Sequence, residues 1–107
     1  MNLAEAFLLT TGFSYFAAAF LPVHFEKNMD PKKEKIAYLA MGTVFTALPF
    51  VDSYVANLVL GALYAGVAMY CYGGKQDWGS PENNALMTAW DLAISVACFS
   101  RLGVAVR

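Results

Sequence analysis

The chain has 107 residues, of which 59% are hydrophobic and only 14% are charged. Soluble domains carry roughly 25% charged residues, so this chain has too little polar surface to cover a water-soluble globule. Its net charge of −1 argues against a nucleic-acid partner, because no basic face exists to displace counterions from phosphates. The composition predicts one all-α domain over residues 1–107, an integral membrane helix bundle with lipid as its solvent.

Four apolar stretches follow one another along the chain, each near the roughly 20 residues that cross a hydrocarbon core of ~30 Å. We expect transmembrane helices at about residues 4–23, 31–50, 54–73 and 81–104. A continuous helix over residues 36–74 would be about 58 Å long, nearly twice the membrane. Pro49 interrupts helical hydrogen bonding, and Asp52 and Ser53 can cap a new helix. A tight turn at residues 50–53 is therefore predicted between helices two and three.

Two helix starts are marked by a capping residue followed by proline. Asp30-Pro31 and Ser80-Pro81 each place a side-chain acceptor before a proline that is tolerated at the first helical position. Helices two and four should begin there. The intervening loops are short, so consecutive helices should be antiparallel neighbours in a four-helix bundle.

The lysines predict the orientation of this bundle. The first loop carries Lys27, Lys32, Lys33 and Lys35, and the third loop carries Lys75. The opposite side has chiefly the chain termini and Asp52, with Arg107 as its clear base. By the positive-inside bias, loops one and three face the cytoplasm or its equivalent compartment, and both termini lie on the opposite side. A three-span chain would also pass this test, so the helix count depends on length and on Pro49.

Asp91 lies about ten residues after Pro81, roughly 15 Å along helix four and hence near the middle of the bilayer. A carboxylate there is costly and is a functional-site candidate. At 100° per residue, Thr88, Asp91 and Ser95 share one face of the helix. We regard these three residues as candidates for helix packing or for ion coupling.

Three interpretations of Asp91 stay open at this point. It can fix helix packing through hydrogen bonds to Thr10, Thr11, Ser14 or a tyrosine hydroxyl, which we favour. It can couple the protein to a proton or another cation. Helix four can also lie shallower in the membrane, with Asp91 near an interface beside Trp90.

Small residues recur at helical spacing on two of the predicted helices. They are Ala85, Ala89, Ala93 and Ala97 in helix four and Gly61, Ala62, Ala65 and Gly66 in helix three. Small side chains at this spacing let helix backbones approach closely in a membrane. We favour packing within the chain, and an oligomer or partner interface is the alternative.

His24 is the only histidine and follows Pro22 at the end of helix one. A histidine there could ligate haem or a pigment, but the chain offers no second axial ligand, so an interfacial polar anchor is the favoured interpretation. No cofactor or metal site is predicted, and bound lipid is expected. Cys71 and Cys98 have no metal or redox spacing, and they should lie too far apart for a disulfide.

The sequence has no catalytic constellation or phosphate-binding loop, so an enzyme is not predicted. We expect a non-catalytic structural or accessory subunit of a larger membrane assembly, with an energy-transducing complex as a candidate host. The alternative is a small homo-oligomeric transporter or channel that uses Asp91 as a proton or cation site. A third interpretation is a lipid- or pigment-binding helper that uses His24. Expected partners are membrane lipid and either other membrane subunits or copies of the chain; the sequence does not specify which membrane.

Overall fold

The structure is a computed structural model that describes residues 1–105, so the predicted terminal base Arg107 lies outside the described residues. The long helices are α1 (Leu3–Phe20), α2 (Pro31–Ala47), α3 (Tyr54–Tyr72) and α4 (Pro81–Ser100), followed by a single turn, α5 (Leu102–Ala105). The predicted all-α class and the four helices are confirmed.

Side-chain caps begin each long helix. Asp30 accepts from the Lys32 amide with Pro31 at the first helical position, and Ser80 accepts from the Asn83 amide in the same way. The two starts predicted from Asp-Pro and Ser-Pro are therefore confirmed. Asn2 and Glu5 form a reciprocal capping box at the start of α1.

The turn between α2 and α3 lies where Pro49 predicted it. The last turn of α2 tightens into a 3-10 turn at Leu48–Phe50, and the Val51 amide donates to the Leu48 carbonyl at 3.1 Å. The Ser53 hydroxyl then accepts from the Ala56 amide at 3.1 Å and caps α3. Helices two and three are therefore separate.

The first and fourth helices end earlier than the sequence predicted. The first ends at Phe20 rather than at residue 23, because Pro22 lacks an amide and disfavours helical geometry at Leu21. The fourth ends at Ser100 rather than at residue 104, and the chain turns at Arg101. The Arg101 side chain is directed into the bundle, as described below.

The helices pack as two hairpins, α1 with α2 and α3 with α4, and the hairpins meet mainly along α1 and α4. Glycines allow the closest approaches inside each hairpin. A Cβ atom at Gly12 would lie 2.6 Å from the Thr46 amide nitrogen, and one at Gly61 would lie 2.5 Å from the Phe99 ring. We call the end with residues 21–30 and 73–80 the loop end, and the end with residues 48–53 the turn end.

The alanines of α4 lie mostly on the outside of the bundle. Ala85, Ala89 and Ala93 are exposed, and only Ala97 is buried. Because α4 turns its Asp91 face inward, the opposite stripe is directed away from the other helices. The prediction of packing within the chain is wrong for the three exposed alanines, whereas contact with another polypeptide stays a prediction.

The small residues of α3 also include both buried and exposed positions. Gly61 is buried against Phe99, Ala65 is half-buried, and Ala62 and Gly66 are exposed. One position of this cluster therefore supports close packing within the chain. A Cβ atom at Gly66 would meet no neighbour within 4 Å.

Candidate functional site

A cavity of about 180 Å³ lies between all four long helices. Each helix contributes one polar side chain to its wall: Tyr15 from α1, Tyr38 from α2, Tyr64 from α3 and Asp91 from α4. Glu26 and other residues of the loop end complete its wall. We call this space the inner cavity.

Asp91 is the acidic group of α4 in the inner cavity. It is 3% exposed, and among the described residues its Oδ2 has no hydrogen-bond partner. The predicted partners Thr10 and Ser14 instead donate to carbonyls of their own helix, at Ala6 and Thr10. The structure therefore buries Asp91 as predicted but does not give Oδ2 the packing hydrogen bond that we favoured.

The tyrosines around Asp91 are held by an aromatic cluster. The hydroxyls of Tyr15 and Tyr64 share a hydrogen bond of 2.8 Å, so each is the other's partner rather than a partner of Asp91. Phe45 stacks on Tyr15 at 6.0 Å between centroids and meets Tyr64 edge-on at 5.1 Å. The buried Tyr38 hydroxyl has no hydrogen-bond partner within the described chain. The inner cavity therefore contains two polar oxygens, on Asp91 and Tyr38, that can still accept a hydrogen bond.

The two residues predicted to share the Asp91 face have different roles. The Ser95 hydroxyl is buried and donates to the Gly61 carbonyl at 2.7 Å, which joins α4 to α3. The half-buried Thr88 donates to the Asn84 carbonyl of its own helix at 2.8 Å. The inward polar face of α4 is thus real, but its two hydroxyl groups donate elsewhere.

A second cavity, of about 330 Å³, opens to the outside between α1 and α4. Its wall is almost entirely apolar and includes the rings of Trp78 and Trp90. Trp90 is fixed by a 3.2 Å hydrogen bond from its Nε1 to the Thr11 hydroxyl and by contact with the Phe7 ring at 4.9 Å. We call this space the outer groove. It shares four wall residues with the inner cavity: Tyr15, Tyr38, Trp78 and Met87.

The charged side chains on the walls of these two spaces are acidic. Glu26, 3% exposed, lines the inner cavity at the loop end, where its Oε1 accepts from the amides of Asn28 at 3.1 Å and Asp77 at 2.8 Å. Among residues 1–105, no lysine or arginine lines either space. Lys35 is not on either wall, but its Nζ lies 5.7 Å from the centroid of the Tyr38 ring. Two carboxyl groups without a basic neighbour on the wall favour a positive occupant.

His24 lies at the loop end, away from Asp91. Its Nδ1 is 3.1 Å from Glu34 Oε2, although the angle is not that of a hydrogen bond. Glu34 is fully buried and accepts from the amides of Phe25 at 3.2 Å and Glu26 at 2.8 Å. The position of His24 is that of an anchor in a folded loop. The part of the chain that is described has no group of three or more His, Cys, Asp or Glu side chains that could hold a metal ion.

Sequence reasoning missed the buried charge at the turn end. Arg101 is 1% exposed, and its Nη1 donates to Asn57 Oδ1 at 3.0 Å. Its Nη2 donates to Glu5 Oε2 at 3.4 Å and to the Pro49 carbonyl at 3.3 Å. Arg101 thereby connects α1, α3 and the α2–α3 turn. Only its position shortly after an apolar run, where a long basic side chain can fold back, could have indicated this.

Glu34 was also missed, although a helical pattern indicates it. Glu34, Tyr38, Gly42 and Phe45 are all buried and follow one another at spacings of four and three residues. This spacing defines the inward face of α2, and it includes the acid at its first position. The lysine-rich composition of the segment concealed that one of its charges is buried.

Comparison of the chain with known protein families, with curated proteins and with solved structures gave no significant match.

Proposed function

We propose that the chain is a multi-pass integral membrane protein whose four long helices all cross the bilayer. The polarity of the fold supports this, because large apolar side chains such as Phe13, Val59 and Val96 are more than half exposed, whereas Asn57 and Asp91 are buried. A water-soluble bundle has the reverse arrangement. The long axis of 41 Å also fits a bilayer of about 40–45 Å with its headgroups.

Two helices, Leu3–Phe20 and Tyr54–Tyr72, are long and apolar enough to cross a membrane, which by itself is weak support. The other two are more polar for local reasons. The charges of α2 lie in its first two turns at the loop end. Headgroups would solvate the lysines there, and Glu34 is buried against loop amides. The buried acid of α4 faces inward rather than toward lipid. The positive-inside bias of the lysines at the loop end favours that end on the cytoplasmic side.

We further propose that the protein serves as a non-catalytic subunit of a larger membrane assembly, with energy-transducing complexes as candidate hosts. The exposed alanines Ala85, Ala89 and Ala93 carry this proposal. Lipid chains do not need small residues, whereas a helix of another polypeptide can approach closely over them. The face spans two turns of α4, enough for one helix–helix crossing.

Native mass measurement after gentle detergent extraction tests the subunit role. The parent should migrate with other polypeptides, and Ala93→Leu should release the free chain because the larger side chain separates the backbones. Ala40→Leu, at an exposed alanine of α2, is the matched control and should leave the assembly intact. A parent that migrates alone would contradict the subunit role.

The second candidate is a small homo-oligomeric transporter or channel, and the unpartnered Asp91 oxygen in the inner cavity favours it. In this case the native mass should be a multiple of the chain mass. Reconstituted vesicles should show pH-driven ion or solute flux that disappears in Asp91→Asn. No flux from the parent would leave Asp91 without a transport role.

A further inference from the structure

We infer that the inner cavity and the outer groove together form one binding site for a lipophilic organic ammonium ion, with Asp91 as its counter-ion. This binding site does not depend on whether the chain works inside a host assembly or alone. Only the route of entry rests on the proposed membrane placement. If the chain is a transporter, the site assigns its substrate class.

The charge of the occupant follows from the wall of the inner cavity. Asp91 Oδ2 is buried and has no partner, so a positive group would supply the missing interaction. Glu26 adds a second acidic group at the loop end of the same cavity. An anion would meet two carboxyl groups and no basic side chain among the described residues of the wall, so the charge of the wall disfavours it.

The aromatic rings indicate an organic cation rather than a metal ion. Tyr15, Tyr38 and Tyr64 line the same cavity as the carboxyl group of Asp91. Aromatic rings attract a cation over their faces, most effectively when the cation is desolvated. Hard metal ions prefer several oxygen ligands, but two of these three hydroxyls bond to each other. Substituted ammonium groups are weakly hydrated and need few hydrogen bonds.

The outer groove accounts for an apolar body attached to that ammonium group. Its volume of about 330 Å³ is at the lower end of the roughly 300–1,000 Å³ typical of ligand pockets. Its wall contains Trp78 and Trp90, and Trp78 belongs to the inner cavity as well. The two spaces adjoin at the wall residues that they share. In the proposed site, the charge of the molecule lies beside Asp91 and its apolar part extends outward between α1 and α4. In a bilayer this opening would face lipid, from which a lipophilic cation can enter.

Tryptophan fluorescence offers a direct measurement, because the chain has two tryptophans and both line the groove. The probe is benzyltrimethylammonium, titrated into the purified full chain in detergent micelles. Neopentylbenzene, which has the same shape without the charge, and phenylmethanesulfonate, an anion, are the matched ligands. The same titrations into protein-free detergent are subtracted.

We expect saturable binding of benzyltrimethylammonium that is stronger than that of neopentylbenzene by at least about tenfold, and no binding of the sulfonate. Asp91→Asn should remove this preference for the cation. Asp52→Asn, which neutralises an exposed acid at the turn end, should retain it. Thermal melting by circular dichroism verifies that both variants are folded.

Equal affinity for the charged and neutral ligands would overturn the proposal, as would unchanged cation binding by a folded Asp91→Asn variant or no binding of the cation by the parent. The comparison of the charged and neutral ligands uses the parent protein alone, so it tests the proposal even if Asp91→Asn fails to fold. If the cation does not bind, the native-mass result still decides the subunit role. If the chain migrates alone, it can still bind the cation. The cation site and the subunit role can therefore fail independently of each other.

Discussion

The Arg101 side chain contacts three parts of the turn end. Its guanidinium donates to Asn57 and Glu5 and lies 3.8 Å from Asp52. Arginine suits this position because its planar donors point in several fixed directions, which a lysine ammonium on a flexible stem does not reproduce. The buried base thus holds the α2–α3 turn against the ends of α1 and α4.

Arg101→Met should lower the free energy of unfolding by about 3 kcal/mol, because it leaves buried acceptors unpaired. Lys32→Met removes an exposed base at the loop end and should change stability by no more than about 0.5 kcal/mol. Loss of helical circular dichroism during titration with a denaturing detergent measures both. Equal unfolding midpoints for the two variants would show that the contacts of Arg101 contribute little.

For Asp91, removal of the charged group should increase stability rather than lower it. Since its buried Oδ2 has no partner, Asp91→Leu should raise the free energy of unfolding by about 1 to 3 kcal/mol, the usual cost of an unsatisfied buried group. The same titration measures this change, and Glu82→Gln, at an exposed acid of the same helix outside the Arg101 contacts, is the control for loss of an acid. A less stable Asp91→Leu variant would show that the carboxyl group has a structural partner and would restore the packing interpretation. A more stable one indicates an acid retained for function at the expense of stability.

At the scale of helices, the space around a glycine shows whether its helix face is packed against another helix. Gly12 of α1 lies against the backbone of α2, so a Cβ atom there would be 2.9 Å from the Phe45 carbonyl carbon. Backbone atoms cannot move aside as the end of a flexible side chain can. Gly66 of α3 has open space around it.

Gly12→Ala should therefore destabilise the protein by about 1 to 3 kcal/mol through overpacking of the α1–α2 hairpin. Gly66→Ala is the matched control and should stabilise it by about 0.5 to 1 kcal/mol, because alanine is the better helix former. Thermal melting in micelles compares the two. A stable Gly12→Ala variant would mean that α1 and α2 can separate without cost.

The helix starts could be predicted from the sequence because they depend on local chemistry. Asp30-Pro31 and Ser80-Pro81 combine an acceptor and a fixed backbone angle within two residues, and Pro49 stops α2 in a similar local way. Helical periodicity placed Asp91 and Ser95 on one face of helix four, but it did not indicate which face of that helix points inward. No distant contact was needed for these predictions.

The packing of whole helices could not be predicted in this way. The alanine face is regular in sequence, but whether it meets a neighbour depends on which helices pair and on what lies outside the chain. The partners of Glu34 and Arg101 are loop amides and distant acceptors, which are known only once the chain is folded. The inner cavity likewise requires side chains from all four helices, which no local pattern contains.

At the scale of the whole molecule, the loop end is one folded unit. The Lys27 amide donates to the Asp77 carbonyl at 2.6 Å, and the Asn28 side chain donates to the Lys75 carbonyl at 2.9 Å. Loops one and three are thus joined by hydrogen bonds, and the lysines that set the positive-inside bias lie together. The turn end has Asp52 and the buried Arg101 instead.

This separation of the two ends predicts the membrane topology. With Cys71 and Cys98, both buried thiols, replaced by alanine, single cysteines at Asp52→Cys and Lys32→Cys occupy exposed positions at the turn end and the loop end. A membrane-impermeant maleimide should label them from opposite sides of sealed vesicles, because helices of 17 to 20 residues span roughly 26 to 30 Å. The Lys32→Cys site should react from the cytoplasmic side. Permeabilised vesicles, in which both sites react, are the control for accessibility. Labelling of both sites from one side, or release of the chain by an alkaline wash, would contradict the four-span arrangement.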